Sequence, residues 1–264
     1  MKKKPVKLLW TGGWDSTFRL LHVTIGEGRI VQPFYLIDRQ RRSAGQEIRV
    51  MEQIKDRLFS EYHQVSQLIL PTIYTEVNHI QQNDTITEAY QRVKVHSGIG
   101  EQYEWLARWC ARHGLEDIEL CIHRDDKAHR AIKPYIAESN DGDKVTYVFD
   151  SAFNTIDEFL LFRYFRFPSF DMSKLDMKRI MILQGLESYM DMTWFCYSPT
   201  SAATPCGICN PCVYTIEEGL GYRIPLFSRG KYYMQQFFVG TVKRRSPFFY
   251  SVGRIIARAA GWVR

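Results

Sequence analysis

Residues 6–17 read Val-Lys-Leu-Leu-Trp-Thr-Gly-Gly-Trp-Asp-Ser-Thr, an apolar run that stops at a Gly-Gly pair. An amphipathic segment follows at 18–23, so the pattern predicts a strand, a tight loop and a helix start. Gly12 and Gly13 let the backbone approach an anion and adopt positive φ. The N–H groups of the first helical turn point at the same place, where the helix dipole favours negative charge. The segment predicts a phosphate-binding loop, and a plain Gly-Gly turn is the alternative.

The polar side chains of this loop fit the same interpretation. Ser16 and Thr17 add hydroxyl donors, and Asp15 can sit beside a Mg²⁺ ion that shields the phosphates. We expect Asp15 and Ser16 to lie at an exposed turn. The lysine that follows the second glycine in a Walker-A loop is absent, because Trp14 occupies that position. This difference argues against γ-phosphoryl transfer.

Composition indicates an ordinary globular protein. The chain has 264 residues, of which 45% are hydrophobic and 24% charged, which fits one large domain with or without an appendage. No apolar run reaches the length of a transmembrane segment, so none is expected. The basic start lacks the long apolar region of a signal peptide. We therefore predict a cytoplasmic protein.

The net charge of +6 is unevenly distributed along the chain. Residues 222–264 contain nine Lys or Arg, ten aromatic residues and no Asp or Glu, so the rest of the chain is slightly acidic. Residues 251–264 could form a basic amphipathic helix. This extension could pack on its own core or on a dimer mate, or bind a partner protein, nucleic acid or a membrane surface. Nucleic acid is less favoured, because no nucleic-acid motif is visible.

Alternating strand and helix patterns predict a parallel sheet covered on both faces, a doubly wound α/β fold. The intervening stretch 75–95 is polar and poorly periodic and is predicted to be irregular. Beyond the first strand and helix, the predicted strands are 30–37, 67–73, 118–122 and 145–149, and the predicted helices are 47–59, 100–113, 125–140 and 155–165.

Four of the six cysteines fall in seventeen residues with the spacing C-x9-C-x2-C-x2-C. Such spacing lets four thiolates converge on one ion and suits tetrahedral Zn²⁺, with an iron–sulfur cluster as the alternative. Disulfides are disfavoured in a cytosolic chain. Four protein ligands leave no open position, so the zinc would be structural. The other two, Cys110 and Cys121, are predicted to be buried small hydrophobes. The four candidate ligands are Cys196, Cys206, Cys209 and Cys212.

Two motifs carry a resemblance to a known family. Residues 11–16 resemble the Ser-Gly-Gly-x-Asp-Ser loop of the PP-loop ATP pyrophosphatases, with Thr11 in place of the first serine. Residues 193–197 (Thr-Trp-Phe-Cys-Tyr) and 205–212 (Pro-Cys-Gly-Ile-Cys-Asn-Pro-Cys) resemble the 7-cyano-7-deazaguanine synthases of that class. Just upstream, residues 167–174, with Asp171 and Lys174 before a predicted helix, resemble a stretch of the same family. The likeness covers 5–38 and 165–220.

The resemblance implies a doubly wound sheet with a small zinc subdomain, here a PP-loop nucleotide-binding domain over 1–190, a zinc-binding subdomain over 191–221 and an extension over 222–264. Family members adenylate the carboxylate of 7-carboxy-7-deazaguanine with ATP and Mg²⁺, ammonia then displaces AMP, and a second ATP drives dehydration to the nitrile. By resemblance, catalysis falls to Asp15, Ser16 and Lys174. The implied ATP-binding residues are Thr11, Gly12, Gly13, Asp15, Ser16 and Thr17.

Departures from the family pattern point to a different acceptor. The family's central helix opens with Val-Pro-x-Arg-Asn, whereas residues 98–103 read Gly-Ile-Gly-Glu-Gln-Tyr, and Thr215 replaces an expected Arg. With its extension, the chain resembles the divergent branch found in bacterial antiviral operons with cyclic-oligonucleotide signalling enzymes. The hypothesis is amide formation with an amine, here the N-terminus of a partner protein from the same operon. The alternatives are an orthodox synthase using ammonia, with a homodimerising tail, and a non-catalytic nucleotide or deazapurine sensor.

For several single residues the sequence does not decide between a role in a site and a purely structural role. Residues 123–126 (His-Arg-Asp-Asp) follow a predicted strand end, where α/β sites collect, or form a solvated loop. Asp171 is a candidate helix cap. Arginines at 39, 41 and 42 could meet phosphate or water. For His96 and His129 the sequence identifies no partner.

Overall fold

A computed structural model describes residues 4–141, 144–200 and 204–245. The chain divides into two compact units, the first made of Met1–Gln40 and Glu47–Trp194 and the second of Arg41–Gln46 and Phe195–Arg264. The helix predicted at 251–264 lies outside the described residues. Within the described ranges, none of the helices combines the length and hydropathy that crossing a membrane would require.

The first unit contains a seven-stranded, mostly parallel sheet and its helices, which confirms the α/β class. The strand order is β3-β2-β1-β4-β7-β6-β5, and the first five strands in this order run parallel. The last two pair antiparallel. In chain order the strands are β1 (Val6–Leu9), β2 (Val31–Ile37), β3 (Ile73–Glu76), β4 (Ile118–Glu119), β5 (Ile136–Asp141), β6 (Lys144–Phe149) and β7 (Phe165–Arg166).

Ten α-helices accompany these strands in the described part of the chain. The first, α1, continues into a π-helical turn at His22–Gly26, and a 3₁₀ turn at His63–Gln67 follows α2. The helices are α1 (Trp14–Leu21), α2 (Ala44–Glu61), α3 (Asp84–Ser97), α4 (Gln102–His113), α5 (Lys127–Ile132), α6 (Asp157–Phe162), α7 (Lys174–Leu183), α8 (Glu187–Met192), α9 (Asn210–Thr215) and α10 (Leu226–Arg245).

The central strands are built from near-continuous apolar runs. Strands β1 and β2 are buried along most of their length, as expected for parallel strands covered on both faces. Side chains from these strands pack with those of α3, α4 and α6 into one hydrophobic cluster that includes Phe34, Trp109 and Phe162. This core fixes the edge of the sheet at which the loops after β1, β4 and β7 emerge.

The predictions for two consecutive segments, 67–73 and 75–95, are wrong. The stretch 75–95 is largely helical, because α3 buries Ile86, Tyr90 and Val93 among otherwise polar residues. Its N-cap is Asn83, whose side chain accepts from the amide of Ile86 at 3.1 Å. The strand predicted at 67–73 makes only a single bridge before β3 begins.

The region 125–140 is also only partly helical. Helix α5 ends at Ile132, and Pro134 lies in a short 3₁₀ turn before β5. A proline lacks the amide that would continue the helix. Strand β5 then pairs with β6 as a hairpin, and such a local connection makes the pair antiparallel. The strand predicted at 145–149 is therefore present, but it is not part of a parallel arrangement.

Candidate phosphate-binding site and metal centre

The sheet reverses its strand order at β1, which has β2 on one side and β4 on the other. In such sheets ligands bind in the crevice outside the carboxyl ends of the strands at this reversal. Loops 10–13, 120–126 and 167–173 leave the carboxyl ends of the parallel strands β1, β4 and β7 and therefore reach the same edge. The predicted phosphate loop is the first of these three.

Gly12 is required by both its conformation and its surroundings. Its φ is +67°, and an added Cβ would lie 3.0 Å from Cγ of Met51 and 3.2 Å from the carbonyl oxygen of Glu47. Only glycine fits such a left-handed, close-packed position without strain. The loop is consequently held against α2 in one conformation.

Hydroxyl groups brace the loop from inside. The amide of Thr11 donates to Oγ of Ser16 at 3.3 Å, and the amide of Gly13 donates to Oγ1 of Thr11, also at 3.3 Å. Ser16 is only 7% exposed, so the expectation of an exposed turn is wrong for this residue. The first intrahelical bond of α1 runs from the Thr17 amide to the Gly13 carbonyl. The amides before Thr17 have no acceptor within the helix, which makes this end suited to an anion.

Two further predicted site residues, Thr17 and Lys174, lie in helices rather than in the loop itself. The hydroxyl of Thr17 is fully buried and accepts from the indole Nε1 of Trp10 at 3.0 Å, so it stabilises the base of α1. Lys174 is the half-buried first residue of α7, which packs against α1. The helix is capped by Ser173 through a capping box with Asp176, so the predicted cap at position 171 is wrong.

Asp15 faces a histidine from the neighbouring strand's loop. Its Oδ2 lies 3.9 Å from Nε2 of His123, which is 4% exposed. The other ring nitrogen of His123, Nδ1, accepts from the amide of Asp125 at 3.3 Å. Oδ1 of Asp15 is buried and has no hydrogen-bond partner within the described residues. The solvated-loop alternative is thus wrong for His123. The sequence signal that pointed to a site was the position of this histidine directly after a predicted strand.

The loops after β4 and β7 are tied together beside this pair. The amide of Arg124 donates to the carbonyl of Met172 at 2.9 Å, and its guanidinium donates to the carbonyl of Asp171. The carboxylate of Asp171 accepts from the hydroxyl of Tyr147 at 3.2 Å. Burial is the main cause that raises the pKa of Tyr147, and the negative charge of Asp171 acts in the same direction. The loops after β4 and β7 therefore form one connected wall.

His129 lies in the same wall. Its ring is 4.2 Å from that of Phe170, centroid to centroid, and both ring nitrogens are buried without a hydrogen-bond partner among the described residues. Burial lowers its pKa, and the positive charge of Lys133 acts in the same direction. A neutral ring is therefore favoured, and nothing in the local sequence had indicated this burial.

Arg19 joins α1 to β4 below the loops. Its guanidinium donates to both carboxylate oxygens of Glu119, at 2.7 and 2.6 Å, and to Glu27 at 3.0 Å. Burial opposes the charge of Arg19, but the contacts with Glu119 and Glu27 outweigh it and raise its pKa. This clamp was not predicted, because its main partner, Glu119, is distant in sequence.

The second unit brings its four cysteines together. Their Sγ atoms all lie within 4.8 Å of one another, with 3.8 Å between Cys196 and Cys209 and 3.9 Å between Cys206 and Cys212. A tetrahedron with metal–sulfur bonds of 2.3 Å has edges of about 3.8 Å. The cluster could therefore hold a metal ion such as zinc.

Backbone amides surround these sulfurs as well. The amide of Cys206 donates to Sγ of Cys196 at 3.2 Å, and that of Cys209 donates to Sγ of Cys206 at 3.3 Å. Hydrogen bonds from the other three thiols lower the pKa of Cys206 well below the ordinary value of a thiol. Gly207 has a φ of +84°, and an added Cβ would overlap the carbonyl oxygen of Ser228, so this knuckle also requires glycine.

Other candidates have structural partners instead. Arg39 pairs with Glu76, with its Nε 3.0 Å from the carboxylate, and His96 lies 3.1 Å from Glu158. Cys110 is buried, as predicted, whereas Cys121 is partly exposed. Comparisons of the chain with family models, curated proteins and solved structures found no match. The family resemblance therefore stays a prediction.

Proposed function

We propose that the protein adenylates the carboxylate of 7-carboxy-7-deazaguanine with ATP and transfers the acyl group to an amine of a partner protein. The observation that carries the adenylation step is the loop from Thr11 to Ser16, held by Gly12 at the reversal point of the sheet. The substrate rests on the resemblance of the two sequence motifs. A Walker-A lysine is absent, which favours cleavage between the α- and β-phosphates.

In the first step a carboxylate oxygen of the substrate attacks the α-phosphorus of ATP. The bond between the α-phosphorus and the bridging oxygen breaks, and pyrophosphate leaves. The first-turn amides of α1 and the loop glycines receive the charge of the leaving group, and such preorganised donors supply much of the rate. Mg²⁺, when bound, offsets that charge. Oδ1 of Asp15 fits a hard cation because it is a buried carboxylate oxygen lacking a hydrogen-bond partner in the described chain.

In the second step the amine nitrogen attacks the carbonyl carbon of the acyl-adenylate. The bond between that carbon and the AMP oxygen breaks, AMP leaves, and the nitrogen loses one proton. An α-amine has an ordinary pKa of about 7.7–8.0, against about 10.4 for lysine. A protein N-terminus is therefore neutral and nucleophilic far more often than a lysine side chain at neutral pH.

The four cysteines would hold one Zn²⁺ in a structural role. Their sulfur separations match the edges of a zinc–thiolate tetrahedron, and four protein ligands leave no position for a reactive water. Backbone amides already donate to two of the sulfurs. A catalytic zinc would need one ligand fewer.

Helix α10 provides a surface for the partner protein. Its apolar side chains Leu226, Phe227, Tyr233, Met234 and Phe237 are exposed, and Phe227 is 80% exposed. At helical spacing they form one stripe. The helix sequence contains no Asp or Glu, and its basic residues include Arg229 and Lys231.

The basic, acid-free composition of α10 favours a different protein, rather than a second copy of this chain, as the binding partner of this surface. In a symmetric dimer the same surface meets itself, so the basic residues of the two helices would be brought close together. Like charges in contact disfavour such an arrangement. A partner with an apolar groove and acidic rim is complementary to this stripe.

Mass spectrometry tests the proposal. The protein is incubated with ATP, 7-carboxy-7-deazaguanine and either ammonium or a co-expressed operon neighbour. AMP release, with the acyl mass on the N-terminal peptide of the neighbour, supports the proposal. Free amide or nitrile with ammonium and no mass on any protein decides for the orthodox synthase. Binding of nucleotide without AMP release decides for the sensor.

Point variants in α10 test the docking surface separately. Phe227→Ser and Met234→Ser should leave adenylation intact and reduce transfer to the neighbour, because they remove exposed apolar contacts only. Gln236→Ser, at another exposed position of the same helix, is the matched control. Unchanged transfer in both apolar variants would show that the partner binds elsewhere.

A further inference from the structure

Asp15 and His123 meet across the reversal point of the sheet. Asp15 lies in the first turn of α1, which follows β1, and His123 lies in the loop after the neighbouring β4. Their closest side-chain atoms, Oδ2 and Nε2, are 3.9 Å apart. This separation is an electrostatic contact, longer than a hydrogen bond.

The surroundings of the imidazole decide which nitrogen carries the proton. Nδ1 of His123 lies 3.3 Å from the amide nitrogen of Asp125, which is a donor. In a neutral imidazole one nitrogen donates and the other accepts. Nδ1 is thus the acceptor, and Nε2 bears the proton on the side that faces Asp15.

The two carboxylate oxygens of Asp15 have different surroundings. Oδ2 faces the imidazole, whereas Oδ1 is buried and lacks a hydrogen-bond partner in the described parts of the chain. Leaving a buried charged acceptor unpaired is costly, so such an atom calls for an explanation. A ligand cation satisfies an oxygen of this kind.

We propose that His123 is a positioning residue for Asp15. When the cation binds, Nε2–H donates to Oδ2 across the present 3.9 Å gap, and Oδ1 is thereby presented to the divalent cation that accompanies ATP. The inference rests on the proposed function, because it assumes a metal–nucleotide complex at this loop. His123 itself touches neither the carboxylate substrate nor the reacting phosphorus.

A role as general base for the incoming amine fits the geometry less well. A base would need a free lone pair on the nitrogen that faces the site. On Nε2 that position is taken by the proton, and Nδ1 is turned to the backbone amide of Asp125. The ring is therefore arranged to donate towards Asp15.

Two amide substitutions separate the roles of the ring nitrogens. In His123→Gln the side-chain amide extends to the region of Nε2, whereas in His123→Asn it extends only to that of Nδ1. Binding of Mn²⁺ in the presence of ATP is measured by electron paramagnetic resonance. The half-saturating Mg²⁺ concentration is measured by ATP–pyrophosphate exchange.

We expect His123→Asn to weaken Mn²⁺ binding about tenfold or more, the size of one charge-assisted hydrogen bond. His123→Gln should stay within about threefold of the wild type, because it restores the donor. The maximal exchange rate at saturating Mg²⁺ should change less than the half-saturating concentration. His63→Gln, at an exposed position, is the control.

Equal Mn²⁺ binding by the wild type and both variants would overturn the inference, as would equal loss in both. Melting temperature and zinc content report whether each variant is folded. If the wild type binds Mn²⁺ with ATP but shows no exchange, the proposed reaction fails while the binding comparison still decides the role of His123. If the wild type does not bind the complex, the inference fails too.

Discussion

The backbone amide of Trp194 donates a 2.9 Å hydrogen bond to the carbonyl oxygen of Gly12. A Cβ on Gly13 would lie 3.6 Å from the carbonyl oxygen of Trp194. The two glycines of the loop and the last residue of the first unit are thus packed against each other. This contact joins the glycine loop to the 193–197 motif, although the two lie far apart in the chain.

Gly12→Ala should destabilise the protein and abolish nucleotide binding. A left-handed φ costs a non-glycine residue about 1–2 kcal/mol, and overpacking against Met51 and Glu47 adds about 1–3 kcal/mol. Gly114→Ala is the matched control, because its φ of +58° is similar and nothing lies within 4 Å of its added Cβ. Urea unfolding measures the free energy of unfolding of both variants. Equal losses would show that the close approach at Gly12 is unimportant.

Asp15→Ala and Ser16→Ala should each reduce ATP–pyrophosphate exchange by about 100-fold or more, the usual effect of removing a group that stabilises a transition-state charge. Ser16→Ala also removes the acceptor for the Thr11 amide, so a modest loss of stability is expected for this variant only. Asp56→Ala, at an exposed position of α2, is the control. AMP formation at the normal rate in either site variant contradicts the phosphate-site assignment.

The protein should contain one Zn²⁺ per chain, and Cys209→Ser should lose it. Because metal binding is coupled to folding, the melting temperature should fall by about 10 °C or more. Cys110→Ala alters a buried cysteine outside the cluster and should retain the metal. Elemental analysis and thermal unfolding measure the two effects. A Cys209→Ser protein with full zinc content and unchanged melting would refute the site.

Stability should fall on acidification because of His129. Burial holds its pKa below the ordinary value of 6.5, so the unfolded chain takes up a proton more readily than the folded chain. The stabilisation is complete above pH 6.5 and is lost as the pH falls through the lowered pKa. The titratable groups around the ring are Lys133, Asp171, His123 and Asp126.

Replacing this ring isolates its contribution. His129→Phe keeps an aromatic contact with Phe170 and removes the titration, so its unfolding free energy should fall less between pH 7 and pH 5 than that of the wild type. His63→Gln serves as the exposed control. A wild-type dependence that persists unchanged in His129→Phe would assign the effect to other groups.

Several features followed from short stretches of sequence. The strand–loop–helix start at 6–17, helix α4 with its Gly114 end and the convergence of four closely spaced cysteines all depend on neighbours within a few turns. Hydrophobic periodicity and glycine at fixed positions report such local geometry directly. The α/β class followed from the alternation of these elements.

Other features depended on contacts between distant residues. Helix α3 was missed because its apolar residues are few and its stability comes from the core that it covers. The clamp of Arg19 on Glu119 and the pairing of Asp15 with His123 join segments far apart in the chain. Such long-range pairing leaves no periodic signal in sequence, since it arises only when strand order brings separate loops to one edge of the sheet.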